Sequence, residues 1–218
     1  MEQNVTTIRV MVLEDHEILA EGLRRCIERS ADLKVVASLP DVAAIVNGAV
    51  PMAPDVVVID LDNSESDDAE TVGVVREMFP KAHVVALADS IDAYHRGLRA
   101  IEAGCDGVLS RASTNEELLS VVRGAANGNI MVPSSLITRL MMQRERRDDH
   151  MGNHLSSREL DVLEAMARGY TDKEIADDLV VSLNTARKHV QNVIRKLGAH
   201  SKLEAVITAM RDGIIVPP

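Results

Sequence analysis

Aromatic side chains are nearly missing from this chain: its 218 residues include one Phe, two Tyr and no Trp. Hydrophobic residues nevertheless make up 46% and Met contributes ten, so any core must be aliphatic and Met-filled. There are only two cysteines, Cys26 and Cys105, far apart in the chain. That pattern reads as two buried free thiols in a reducing, cytoplasmic setting, not as a disulfide framework. No uncharged apolar run is long enough to cross a bilayer, and Met1–Val10 lacks the basic, apolar and cleavage regions of a secretory leader. No membrane partner is expected. The seven histidines show no metal-ligand spacing with one another or with the cysteines. There is no Ser/His/Asp arrangement, P-loop or GxGxxG in strand–helix context, so the chain is not read as an enzyme. No internal repeat beyond a βα alternation and no low-complexity tract is present.

Acidic residues are missing from one stretch, which stands out because the net charge is −10. Ser182–Leu197 carries Arg187, Lys188, Arg195 and Lys196 and no acid. Leu183, Ala186, Val190, Val193, Ile194 and Leu197 recur at helical spacing and form one apolar face, while the cations and Gln191 fall largely off it. A merely solvated helix in so acidic a chain should carry Glu or Asp as well, so the pattern points to a polyanion. Charge is unevenly shared along the chain. Residues 1–128 hold 11 Lys+Arg against 22 Asp+Glu, and residues 155–218 hold 9 of each. An acidic body would repel DNA, so it reads as a separate regulatory domain.

Three capping boxes punctuate the C-terminal part: Ser156 with Glu159, Thr171 with Glu174, and Ser201 with Glu204. They predict helices over about Ser157–Arg168, Asp172–Leu179 and Lys202–Asp212, and Ser182 caps a fourth over Leu183–Leu197. Gly169 and Gly198 sit where helix ends want φ > 0. A short helix, a tight turn and a basic helix form a helix-turn-helix. Leu155-Ser-Ser-Arg-Glu-Leu-Asp-Val-Leu163, Gly169-Tyr-Thr-Asp-Lys-Glu-Ile-Ala176, Val181-Ser-Leu-Asn-Thr-Ala-Arg-Lys-His-Val190 and Lys196-Leu-Gly198 resemble the LuxR-type helix-turn-helix domain. The resemblance covers Leu155–Ile215, with Ala186 standing where Val is usual. It implies binding of double-stranded DNA by a homodimer, often paired through the last helix. It also implies major-groove contacts from Arg187, Lys188 and Gln191, and phosphate contacts near Lys173, Ser182, Thr185 and Lys196. Asn184 belongs to the same DNA-facing set. Leu203, Val206, Ile207 and Met210 form the apolar face of the last helix.

The N-terminal part alternates strands and helices. Ile8–Leu13, Leu33–Ala37, Asp55–Ile59, Ala82–Leu87 and Gly107–Leu109 read as buried strands. His16–Glu28, Val42–Val50, Ala69–Met78, Asp92–Glu102 and Asn115–Asn127 read as helices. Five such repeats predict an α/β fold, a doubly wound five-stranded parallel sheet of flavodoxin-like type, whose ligand sites lie at the strand C-termini. Glu14 and Asp15 follow the first strand there, and Asp60 ends the third. Three converging carboxylates need a cation or raised pKa values, and hard oxygen ligands suit Mg²⁺.

Val12-Leu-Glu-Asp-His16 and Pro54-Asp-Val-Val-Val-Ile-Asp60 resemble a response-regulator receiver domain over about Thr7–Asn127. The resemblance implies Mg²⁺ on Glu14, Asp15 and Asp60, with Asp60 as phosphoacceptor. Receiver plus LuxR-type domain is the NarL-like arrangement: residues 1–128 regulatory, 129–154 a linker with a helix from Ser134 or Ser135 to about Arg146, and 155–218 DNA-binding. Three switch positions depart from the pattern. Ala88 replaces the hydroxyl residue of the fourth strand, Val108 replaces the aromatic of the fifth, and Arg111 replaces Lys. The loop Leu61-Asp-Asn-Ser-Glu-Ser-Asp-Asp68 lacks the usual Met-Pro and Gly and carries four acids. Arg is wider and planar and does not substitute for a point-charge Lys.

The expected function is therefore a sequence-specific DNA-binding transcription regulator whose receiver is not switched by ordinary Asp phosphorylation. Two alternatives stay open: a conventional phosphorylation-activated regulator, and a signalling or phosphate-relay module whose helical domain touches only protein. A sensor histidine kinase or a small ligand is the candidate input.

Overall fold

The computed structural model describes residues 7–48, 50–61, 68–88, 93–130 and 155–216. The expected linker helix beginning at Ser134 or Ser135 lies outside them, as does most of the acidic loop after Asp60. The first unit runs β1 (Ile8–Leu13), α1 (Glu17–Glu28), β2 (Leu33–Leu39), α2 (Val42–Val46), β3 (Val56–Asp60), α3 (Asp68–Met78), β4 (His83–Ala88), α4 (Ala93–Glu102), β5 (Gly107–Ser110) and α5 (Asn115–Ala126). All pairings are parallel, in the order β2-β1-β3-β4-β5. Every residue of the central strand β3 is buried, which is why its sequence reads as an unbroken Val/Ile run.

Two elements differ from the sequence expectation by more than one residue at an end. The helix expected to reach Val50 stops at Val46, because Gly48 at φ +80 donates its N–H to the Ile45 carbonyl and closes the end. The strand expected to end at Ala37 continues to Leu39, paired with Leu13 across a register shift at Val10/Met11. It is an edge strand and is only half buried.

The second unit comprises α6 (Ser157–Ala167), α7 (Asp172–Asp178), α8 (Leu183–Lys196) and α9 (Lys202–Arg211). Two complete capping boxes, Ser156/Glu159 and Thr171/Glu174, start α6 and α7. Val162, Leu163, Met166, Ile175, Ala186, Val190, Val193, Leu203, Ala205 and Ile207 make its core.

The turn between α7 and α8 has an unexpected occupant. Val180 N–H donates to Asp177 and Val181 N–H to the Ala176 carbonyl, the closure that places the intervening residue in the left-handed region. That residue is Val180, at φ +53 and 89% exposed. A β-branched side chain is unfavourable there and gains no burial in return. Val180→Gly is expected to stabilise the helical unit by ~1 kcal/mol, raising its thermal midpoint by a few degrees. An unchanged or lower midpoint would show that the turn is relaxed around Val.

The two units touch. Ser201, the N-cap of α9, accepts from Glu204 N–H and donates its own proton to the Cys105 carbonyl at 3.0 Å. At the far end of α9, Arg211 Nη1 lies 3.6 Å from Glu102 Oε1 at the end of α4. Leu203, Val206, Ile207 and Met210 are all buried within the chain, among α6, α8 and the α4 region. Both cysteines are buried free thiols. Among the described residues, no helix is long and apolar enough to cross a membrane.

Candidate functional site

The C-terminal edge of the sheet gathers the acidic residues. Glu14 and Asp15 sit just past β1 and Asp60 ends β3. Glu14 and Asp60 are buried. Glu14 Oε1 accepts from the His16 backbone N–H at 2.8 Å, whereas its Oε2 is buried with no hydrogen-bond partner. Burial first, and the neighbouring Asp60 carboxylate second, push the Glu14 carboxyl up to about 7. His16 shows no metal spacing in the sequence, yet its Nδ1 lies 3.0 Å from Glu14 and 2.7 Å from Asp15. Its hydrogen bond to Glu14, and then the Asp15 charge, raise its pKa. Glu14, Asp15 and His16 bring their ligand atoms close enough together to hold a cation.

Asp60 is engaged differently. Arg111, just past β5, places Nε 2.8 Å and Nη2 2.5 Å from Asp60 Oδ2. The Arg111 backbone N–H donates to the Ala88 carbonyl, so the Arg is anchored beside the position where a hydroxyl is missing. Ala88 and Val108 are buried in the sheet. The expected carboxylates thus have different cationic or imidazole neighbours: Glu14 and Asp15 meet His16, and Asp60, which still neighbours Glu14, meets a guanidinium. Arg111 also lines an open cavity of about 250 Å³ with Leu19, Leu23, Leu109, Ser113, Thr114 and Asn115.

In the helical unit Lys173, Ser182, Asn184, Arg187, Lys188 and Gln191 are exposed, and Thr185 is half-buried. Ser182 Oγ caps α8 by accepting from Thr185 N–H at 3.1 Å. With no acid in its first turn and Arg195 and Lys196 in its last, α8 presents a cationic outer face. Lys196, expected near phosphate, is exposed and also pairs within the unit: its Nζ is 2.7 Å from Glu159 Oε2, the carboxylate that closes the α6 capping box. Lys196, then the Ser156 N–H, hold Glu159 down at about 2. Lys196 therefore ties the end of α8 to the start of α6. Nothing in local sequence announces this pairing, because the partners are 37 residues apart.

Residues 10–123 match the family described as response regulator receiver domain, and residues 153–209 match the bacterial regulatory proteins of the luxR family. The chain is 32% identical to the nitrate/nitrite response regulator protein NarP of Escherichia coli (strain K12), over 95% of this chain and 96% of that one. It is 27% identical to the transcriptional regulatory protein LiaR of Bacillus subtilis (strain 168), over 95% and 99%. Among solved structures, it resembles the response regulator ChrA of a heme-sensing two-component system, with TM-score 0.51, 25% identity and coverage of 96% of this chain and all of that one. A complex of the response regulator RcsB with DNA is similar in fold, with TM-score 0.55, 20% identity and coverage of 94% and 98%.

Proposed function

Because the chain belongs to the response regulators that join a receiver to a LuxR-type DNA-binding domain, we propose that it binds a specific duplex as a homodimer through α8 while its receiver works without ordinary phosphorylation of Asp60. It is a DNA-binding transcription regulator of two-component type. Residues 1–128, 129–154 and 155–218 are its proposed regulatory, linker and DNA-binding segments. Arg187, Lys188 and Gln191 are the proposed base readers. Lys173, Ser182, Asn184 and Thr185 line the backbone contacts, with Lys196 behind them.

The observation that carries the receiver half is the Arg111–Asp60 pair. Oδ2 receives two N–H groups of one guanidinium, so that oxygen is held away from a phosphodonor until Arg111 yields. Receiver domains generally hold Mg²⁺ at an acidic site. The orphaned Glu14 Oε2 and the Asp15 carboxylate fit such a hard cation, with Asp60 as the third ligand once Arg111 yields. When bound, the metal supplies positive charge that offsets an incoming phosphoryl group. Ala88 supplies no hydroxyl to that group. One missing hydrogen bond to a charged group costs ~1.5–3 kcal/mol, comparable with the few kcal/mol separating two states of one domain. A sensor histidine kinase or a small ligand is the proposed input.

The test uses acetyl phosphate with Mg²⁺, intact-mass spectrometry and a DNA titration of the parent and Asp60→Ala. Little phosphoprotein and DNA affinities within about twofold are expected. Stoichiometric modification with a tenfold or larger (~1.4 kcal/mol) gain in affinity would show conventional switching.

A further inference from the structure

A continuous line of charges runs from the groove-facing helix to the end of the first unit. Arg187, 59% exposed on the first half of α8, has its Nε 3.5 Å from Asp172 Oδ2 at the start of α7. The other oxygen of that carboxylate, Oδ1, lies 2.6 Å from Lys202 Nζ on α9. Lys202 is 13% exposed, and its ammonium also donates to the Gly128 carbonyl, just past α5, at 3.2 Å. The carboxylate is therefore not a loose first-turn acid, because a nearly buried ammonium holds one of its oxygens and leaves the other toward the Arg.

We infer that Asp172 is a positioning residue for Arg187, oriented by Lys202, and that it sets how selectively the guanidinium reads a base edge. The inference rests on the base-reading role proposed above for Arg187 and adds the group that aims it. A long unrestrained side chain must be ordered on docking, and a partner that pre-sets its direction lowers that cost. The same carboxylate carries negative charge toward DNA phosphates, which weakens binding to every sequence. Asp172 should thus raise discrimination while lowering overall affinity. An acid that served only the α7 helix start would do neither selectively, since its benefit lies in the fold.

The experiment uses the full chain, a duplex selected by it from a random library, single-base-pair variants of that duplex, and calf thymus DNA. Asp172→Asn keeps the side-chain shape and removes the charge. It is expected to bind calf thymus DNA about two- to threefold more tightly, as expected for one acid removed near phosphates. Its preference for the selected duplex should fall at least about fivefold, at the same base pair where Arg187→Ala loses preference. In an Arg187→Ala background, Asp172→Asn should change the preference less than about twofold, because coupled residues are not additive. Lys202→Gln should lower it in the same direction and at the same base pair. A preference lowered by Arg187→Ala but kept in Asp172→Asn overturns the positioning role, and so does a uniform loss on all DNAs. A preference untouched by Arg187→Ala overturns the base-reading role itself. Thermal melts of each variant check that the fold is retained.

Discussion

Replacing Arg187 and Lys188 together by alanine is expected to remove most sequence discrimination, costing ~2–6 kcal/mol on a preferred site, since each base-edge contact contributes ~1–3 kcal/mol. Both side chains stand exposed on the acid-free face of α8. The apolar face beneath them, including Ala186, Val190 and Val193, is buried, so truncating the cations leaves the core intact. Lys173→Ala, at the start of α7, should instead weaken all sequences alike and reduce the salt slope by about 0.9. Lys196→Ala is not the clean phosphate control that its sequence position promises. It strips Glu159 of its cation and loosens the α6–α8 bracket, so its binding loss is mixed with a stability loss. Titrations at several salt concentrations, with unfolding curves for each variant, separate these effects. Unaltered discrimination in the double variant would sink the docking of α8 in the major groove.

Arg76→Met is expected to destabilise the first unit by ~3–5 kcal/mol, the cost of breaking a buried pair on one side. Asp106, just before β5, is buried. Its Oδ2 accepts from Arg76 Nη2 at 2.7 Å and from Val84 N–H at 2.9 Å, and His83 Nδ1 lies 3.3 Å away. Arg76 also donates to the carbonyls of Gly104 and Ala82. Burial pushes the Asp106 carboxyl upward, but His83 and Arg76 outweigh it and hold the group below its usual value. A lowered folded pKa adds stability that is present above the unfolded pKa and lost as pH falls through the folded one. Without Arg76 the burial contribution has less to oppose it. The deficit of Arg76→Met should then be greatest at neutral pH and shrink toward about pH 4, where the carboxyl protonates in the unfolded chain. Urea unfolding at pH 7 and pH 4.5 measures this. A deficit below ~1 kcal/mol at pH 7 would mean that His83 and Val84 suffice to satisfy the carboxylate. Because Cys105 lies between Gly104 and Asp106 and receives Ser201, the variant should also loosen the seat of α9.

What local sequence revealed, and what it hid, divides by distance along the chain. The strands declared themselves because a parallel sheet covered on both faces requires unbroken apolar runs, as in Val56–Ile59. The helix starts were legible because Ser156 and Thr171 meet their partners three residues later. Glu14, Asp15 and Asp60 were legible because topology alone brings the ends of β1 and β3 together. By contrast, the Arg76–Asp106 pair spans 30 residues and sits away from the acidic edge, with no motif to mark it. The reach of Arg111 onto Asp60 depends on the angle at which the chain leaves β5. His16 carries no sequence signal, because spacing among histidines says nothing about neighbouring carboxylates. Val180 violates the turn preference that would have flagged its conformation, since a Gly or Asn is the usual signal there.

The inward-facing last helix has a consequence for numbers of molecules. For a chain that pairs through α9, closure and pairing compete for the face of that helix that meets the first unit, where Ser201 reaches Cys105 and Arg211 lies near Glu102. The chain's own first unit is tethered to this face, so its effective concentration there is of millimolar order. A second copy diffusing at a far lower concentration cannot win that competition in solution. Two copies seated on adjacent half-sites face each other at a local concentration of the same order as the tether's. The spacing of those half-sites on the duplex then acts as an input in its own right, opening the chain where the geometry suits and leaving it closed elsewhere.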